Sequence, residues 1–314
     1  MPAASSERTV TPARASGRTG KWLVSGPPLV YLLVLFAIPT LIMVLASFRT
    51  PGEFGGLAPL VDEAGALDLN VDGYVRFFTE SVYAQVFLKS FWYALLTTLL
   101  CLALGYPLAA LIARSGKKHR NLLLLLVILP FWSNFLIRIY AWMIILGPQA
   151  ALARTVNAAL GAVGMEPVSL LFSSFAVLVC LVYVHLPFMV LPLYANLEKH
   201  DQSLLDAAQD LGAGAWQRFW RITFPLSLPG VYAGAALVFI PALGIFAIPD
   251  ILGGPDDSLI GNVIKQQFLE TRDWPFGSVL SIVLTVAALV IAGLAAWVGR
   301  RNLGTPSSAK GSRA

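Results

Sequence analysis

Apolar positions along the chain fall in long unbroken runs, not in the one-face stripes of helices around a water-soluble core. Six runs reach the roughly 20 residues that a membrane-crossing helix needs. They are residues 27–48, 91–113, 122–146, 170–193, 231–252 and 278–298. The pattern predicts an all-α membrane protein with six transmembrane helices, a domain spanning residues 27–298. Residues 1–26 and 299–314 are left as tails, the first rich in Ala, Ser and Arg and predicted to be disordered. The first run is too long for the core of a signal peptide and reads as a retained helix.

Two segments between the runs carry helical patterns of their own. Residues 150–165 place Leu152, Val156, Leu160 and Val163 at three- and four-residue spacing, which predicts a short helix lying at the membrane interface. Residues 196–230 form the longest connection on their side. A helix fits 202–211, with Asp201 as N-cap and Gly212 as its stop. Leu204, Leu205, Ala208 and Leu211 share its apolar face. A second helix fits 215–223, ended by Pro225 and Pro229. Two short helices joined at a glycine make a projecting knob. Its apolar face either packs back on the spans or needs a partner.

Composition narrows the function classes. The chain is 57% hydrophobic and only 12% charged, against about 25% charged in soluble domains. This excludes an ordinary soluble enzyme, a nucleic-acid binder and a disordered protein. The net charge of +5 is unevenly distributed. Arg8, Arg14, Arg18 and Lys21 precede the first run. Arg114, Lys117, Lys118 and Arg120 follow the second, Lys199, Arg218 and Arg221 follow the fourth, and Arg300, Arg301, Lys310 and Arg313 follow the sixth. The alternate segments hold fewer basic residues: Arg49, Arg76, Lys89, Arg154, Lys265 and Arg272. The positive-inside rule then puts both termini in the cytoplasm. Outer segment 49–90 is acidic, with Glu53, Asp62, Glu63, Asp68, Asp72 and Glu80, and reads as a solvated loop or a docking face.

No segment outside the runs is long enough for an ATPase, and no Gly-x4-Gly-Lys-Ser/Thr loop is present. His119, His185 and His200 lack metal-ligand spacing. His185, inside a span, is expected to bond a neighbouring helix. Cys101 and Cys180 lie in apolar runs and read as small core residues. No nucleophile–base set stands out. The reading is of a chain that is not an enzyme and carries no cofactor.

Charges inside spans are functional by default, and two stand out. Arg138 and Asp250 either pair to lock an outer gate, or Arg138 snorkels while Asp250 caps a loop. Trp92, Trp132, Tyr140 and Trp142 lie near the outer halves of spans, and Asp250, Asp256, Asp257, Glu270 and Asp273 on the outer side. Aromatics with carboxylates could line a path for a cation; they could equally be interface anchors and solvated loops. Pro130, Pro187, Pro192, Pro241 and Pro249 interrupt spans and free backbone carbonyls, or simply kink the helices. Gly230-x3-Gly234 permits close helix contact.

The knob carries a long, fixed spacing: Asp206-Ala207-Ala208, three residues, Gly212, nine residues, Ile222-x-Phe224-Pro225. This resembles the EAA motif of ABC importer permeases, EAA-x3-G-x9-I-x-L-P, with Asp206 for Glu and Phe224 for Leu. The stretches 129–142, 183–194 and 249–277 are similar to permease subunits of spermidine/putrescine importers. The resemblance implies a type I ABC importer permease of the bacterial inner membrane, with Asp206, Ala207, Ala208, Gly212, Ile222 and Pro225 seated in a groove of the ATPase. It further implies a second homologous permease, two cytoplasmic ATPase subunits that hold ATP and Mg, and a periplasmic solute-binding protein. For a polyamine, the substrate-pathway residues would be Trp132, Arg138, Tyr140, Asp250, Glu270 and Asp273. The same architecture could carry an opine, an amino-acid derivative or an anion. A channel independent of ATP would have no use for such a knob, and an intramembrane enzyme would need paired catalytic residues.

Overall fold

A computed structural model describes residues 18–59 and 69–302. The outermost tail residues, and Asp62, Glu63 and Asp68 of the acidic outer segment, lie outside the described residues. Helix α1 (Arg18–Leu32) runs through a π turn, Leu33–Ala37, into α2 (Ile38–Ser47). Helix thus begins inside the segment expected to be a disordered tail. The chain continues through α3 (Asp72–Thr79), α4 (Ser81–Arg114), α5 (Lys117–Ile128), α6 (Phe135–Leu146), α7 (Ala151–Ala162) and α8 (Ser174–Leu197). After these come α9 (Gln202–Asp210), α10 (Ala215–Arg218), α11 (Phe224–Gly244), α12 (Ala247–Leu252), α13 (Ile260–Leu269) and α14 (Trp274–Asn302). Among the described residues, six helical stretches are long and apolar enough to cross a membrane. The protein is an all-α, multi-pass membrane protein.

Helices α4, α8 and α11 pack against one another as the centre of the bundle. In lipid, apolar burial drives helices together weakly, so close contact depends on small residues. Ala94, Ala109 and Ala176 are fully buried. A Cβ on Gly234 would lie 2.8 Å from Met189 Sδ, and one on Gly230 would lie 2.8 Å from Asn196 Cβ. The Gly230-x3-Gly234 spacing is thus what lets α11 approach α8. Around this centre, α6 and α12 pack together and on α8, α14 packs on α2, α11 and α13, and α3 packs on α14 and α4.

Three expected elements differ. The run 122–146 is not one helix. After α5 a 3-10 turn, Leu129–Trp132, leads to a break at Ser133 and Asn134. Pro130 cannot donate a backbone hydrogen bond; its carbonyl instead accepts from Ser133 Oγ at 2.7 Å. Asn134 restarts helix α6 by accepting from Leu136 N at 2.8 Å. The run 231–252 also breaks, at Ile245 and Phe246, so Asp250 sits on the separate α12. The second knob helix does not stop at Pro225. It passes through a π turn, Phe219–Thr223, straight into α11. Pro225 falls in the first turn of α11, where a missing N–H costs little, and the wider π turn accommodates its ring.

Candidate functional site

At one end of the bundle, the knob is built as its residues dictate. Asp201 caps α9 by accepting from Ser203 N at 3.0 Å. Bonds from the Ser203 backbone and side chain hold the Asp201 carboxyl below its ordinary value. Gly212 ends the helix at φ +80°, a left-handed conformation that side chains resist. Arg218 Nη1 then donates to Gln209 Oε1 at 2.7 Å, tying α10 back to α9. No described side chain of α9 is fully buried. Leu204 is 48% exposed, Leu211 88% and Trp216 73%, so the apolar face does not fold back on the spans. Ala207 is exposed and Ala208 half-buried. Asp206 lines a cleft of about 420 Å³ with Arg114, Leu205, Arg218, Phe219 and Thr223.

The root of the knob is aromatic. Phe219 and Phe224 pack on Tyr106 of α4 with ring centroids 5.5 and 6.0 Å away. Tyr106 Oη lies 2.9 Å from Ser227 Oγ of α11. These contacts join the root of the knob to both α4 and α11. Ile222 is half-buried and Pro225 exposed. The sequence motif marks the knob but not Tyr106, which lies some hundred residues upstream with no local signal.

The opposite end gathers ion pairs. Asp250 accepts from Lys265 Nζ at 2.6 Å and from Asn262 Nδ2 at 2.9 Å. Glu270 lies 4.0 Å from the same ammonium. The bond to Asp250 raises Lys265 above its ordinary value; burial opposes this, and the charges of Asp250 and Glu270 add to it. Asp273 pairs with Arg76 at 3.6 Å, and the Arg76 guanidinium sits 4.4 Å from the Phe276 ring centroid.

The suggested Arg138–Asp250 pair is not formed. Lys265 holds Asp250, and Arg138 lies against the rings of Phe131 and Phe135, 5.5 and 5.8 Å from their centroids. The break at Ser133 and Asn134 separates Arg138 from the register that an unbroken span would have given it. Arg138 Nε is buried without a hydrogen-bond partner. Trp132, 77% exposed, and Tyr140, 48% exposed, stand near this break. His185 bonds Leu181 O of its own helix at 2.8 Å, not a neighbouring helix as expected. Cys101 and Cys180 are free and buried. Among the described residues, no three His, Cys, Asp or Glu side chains are placed to hold a metal.

One residue at this end carries more than the sequence signalled. Asp257 is 5% exposed. Its Oδ1 accepts from Ser174 Oγ at 2.5 Å and Tyr93 Oη at 3.1 Å, and its Oδ2 accepts from Gly254 N at 2.9 Å. Lys89 Nζ lies 3.8 Å away. Burial pushes this carboxyl up; the three hydrogen bonds and the Lys89 charge outweigh it and hold the group below its ordinary value. In the sequence, Asp257 was one of several outer acids. The sole hint was its place behind Gly253, Gly254 and Pro255.

Comparisons with known proteins agree with this architecture. The chain is 45% identical over 259 residues to the spermidine/putrescine transport system permease protein PotB of Escherichia coli, covering 81% of this chain and 89% of that one. It is 43% identical over 256 residues to the PotB protein of Haemophilus influenzae, covering 82% and 86%. A solved bacterial ABC transporter involved in the import of the acidic polysaccharide alginate contains a chain of the same fold, with TM-score 0.65 at 20% identity, covering 90% of this chain and 96% of that one. Residues 105–303 match the family described as binding-protein-dependent transport system inner membrane component, and the chain belongs to that family.

Proposed function

We propose that this chain is a permease subunit of an ATP-driven importer that carries polyamines such as spermidine and putrescine across the bacterial inner membrane. Identity of 45% over 81% of the chain to a permease named for those solutes carries the proposal. The exposed knob around Asp206–Pro225 supports the coupling half of it. An apolar face held outside the bundle is the form expected of a surface that docks on another protein.

In this reading both termini and the knob lie in the cytoplasm. A second homologous permease completes the pathway, two ATPase subunits hold ATP and Mg, and a periplasmic binding protein delivers solute. ATP hydrolysis belongs to the partner chains. Closure of the ATPases moves the knob, and the Phe219–Tyr106–Ser227 contacts pass that motion to α4 and α11. The spans then alternate between outward- and inward-open states. Trp132 and Tyr140 offer ring faces to ammonium groups, Glu270 offers a carboxylate near the outer mouth, and Asp250 and Asp273 would exchange their Lys265 and Arg76 partners for the solute.

A second reading, the same architecture carrying an anion, draws on Arg138, whose Nε has no partner. Uptake of labelled spermidine into cells lacking their own polyamine importers, with and without the cognate ATPase, separates these readings. Uptake that needs the ATPase and is competed by putrescine supports the proposal. Uptake competed only by oxyanions contradicts the substrate. Solute flux that persists without the ATPase contradicts an ABC importer.

A further inference from the structure

The buried carboxylate of Asp257 joins elements far apart in the chain. Ser174 belongs to α8, Tyr93 and Lys89 to α4, and Gly254 to the loop 253–259 that links α12 to α13. Two further bonds fasten this loop and the start of α13 to α4. Lys89 Nζ donates to the Asp256 carbonyl, and Ile260 N donates to Ser90 Oγ at 2.7 Å. There is no slack around the carboxylate. A Cβ on Gly254 would lie 2.8 Å from Phe172 O, and Phe172 itself holds φ +53°, a conformation unfavourable for a ring-bearing residue. Every hydrogen-bonding direction of the carboxylate used here points to the protein's own atoms.

From this geometry we infer that Asp257 is the positioning residue of the outer end. It fastens loop 253–259 to the outer ends of α4 and α8, so that α12 and α13 are carried on that body through the transport cycle. The Asp250–Asn262–Lys265 group, which bridges α12 and α13, is thereby held on a rigid frame and not on a free loop. The role in transport rests on the importer reading; the fastening itself does not. A contact that opened in each cycle would leave a buried carboxylate and its donors unpaired each time, which is costly. A contact that stays shut concentrates the motion at the exposed faces of the bundle.

The test uses the assembled importer. In Asp257→Ala, amide hydrogen exchange over residues 253–260 should quicken about tenfold or more, while exchange in α9 stays unchanged. Uptake should fall about tenfold or more with little change in the solute concentration giving half-maximal rate. The double variant Ser174→Cys with Asp257→Cys supplies the decisive step. When reduced it should behave like Asp257→Ala; when mildly oxidised to a disulfide, it should regain slow exchange and most of its uptake, because a covalent tie replaces the hydrogen bonds. Loss of uptake on oxidation would show that the contact must open, and would overturn the inference. So would oxidation that restores slow exchange but not uptake, since the carboxylate would then be serving the solute directly. Normal exchange in Asp257→Ala would overturn it outright. A wild-type importer that takes up no polyamine would instead contradict the proposed function, and the exchange result would still decide the fastening.

Discussion

Gly212 shows how one residue can set the shape of the knob. Its φ of +80° turns the chain between α9 and α10, and no atom lies within 4 Å of where a Cβ would sit. Substitution there is therefore opposed by backbone conformation, not by crowding. A β-branched residue in the left-handed region costs about 1–2 kcal/mol, enough to reset the knob without unfolding the bundle. Gly212→Val should reach the membrane normally yet lose most uptake, and Gly212→Asn should lose less, because Asn tolerates this region. Equal uptake in the Val variant and wild type would contradict the coupling role. Acid should act on the two carboxylates held below their ordinary range. Because the folded values of Asp201 and Asp257 are depressed, their contributions are present above the ordinary carboxylate range and are lost as pH falls below about 4 and through the folded values. Hydrogen exchange in the first turn of α9 and over residues 253–260 should quicken in that window. Lys265 has the opposite sign: its raised value keeps the pair with Asp250 intact until pH rises well above about 10.

At the scale of elements, the sequence was most legible where one physical signal dominated. Apolar run length marked six membrane-length stretches, but the third long apolar helical stretch of the structure covers Phe135–Ala162 and not 122–146. Asp201 and Gly212 marked the ends of α9, since cap and left-handed stop are local chemistry. Proline was legible only as a disturbance. Its ring breaks the segment after α5 at Pro130, yet Pro187, Pro192, Pro229 and Pro241 sit inside helices and Pro225 rides over a π turn. Whether neighbours re-satisfy the freed carbonyls decides the outcome, and this is tertiary information. The pairing of Asp250 was hidden for the same reason: the apolar run concealed the break at Ile245 and Phe246 that puts Asp250 on α12, and its partner Lys265 lies fifteen residues on, across loop 253–259. The approach of α11 to α8 is open to a direct test. Gly234→Val would drive a side chain into Met189 and should destabilise the bundle by about 1–3 kcal/mol. Thermal unfolding in detergent should show a clearly lower midpoint than for Gly161→Ala, a site with open space around it.

Across the whole molecule, the two ends of the central trio of helices are built differently. The knob end leaves Leu211 and Trp216 exposed and ties Trp216 through Phe219 to Tyr106. The opposite end is laced by Asp250, Asp257 and Asp273 to basic residues. A cysteine at Leu211 should be labelled by a membrane-impermeant thiol reagent only from the cytoplasmic side, and one at Phe54 only from the other; reversed labelling would contradict the orientation. The central claim is that solute arriving at the outer end drives hydrolysis through the knob. It is tested most directly by ATP turnover of the reconstituted importer, comprising this chain, its partner permease, the ATPases and the binding protein. Spermidine-loaded binding protein should stimulate turnover several-fold over the empty binding protein, and Gly212→Val should abolish the stimulation while the complex stays assembled. Turnover indifferent to spermidine would contradict the polyamine assignment, and stimulation that survives in Gly212→Val would contradict the coupling path through the knob.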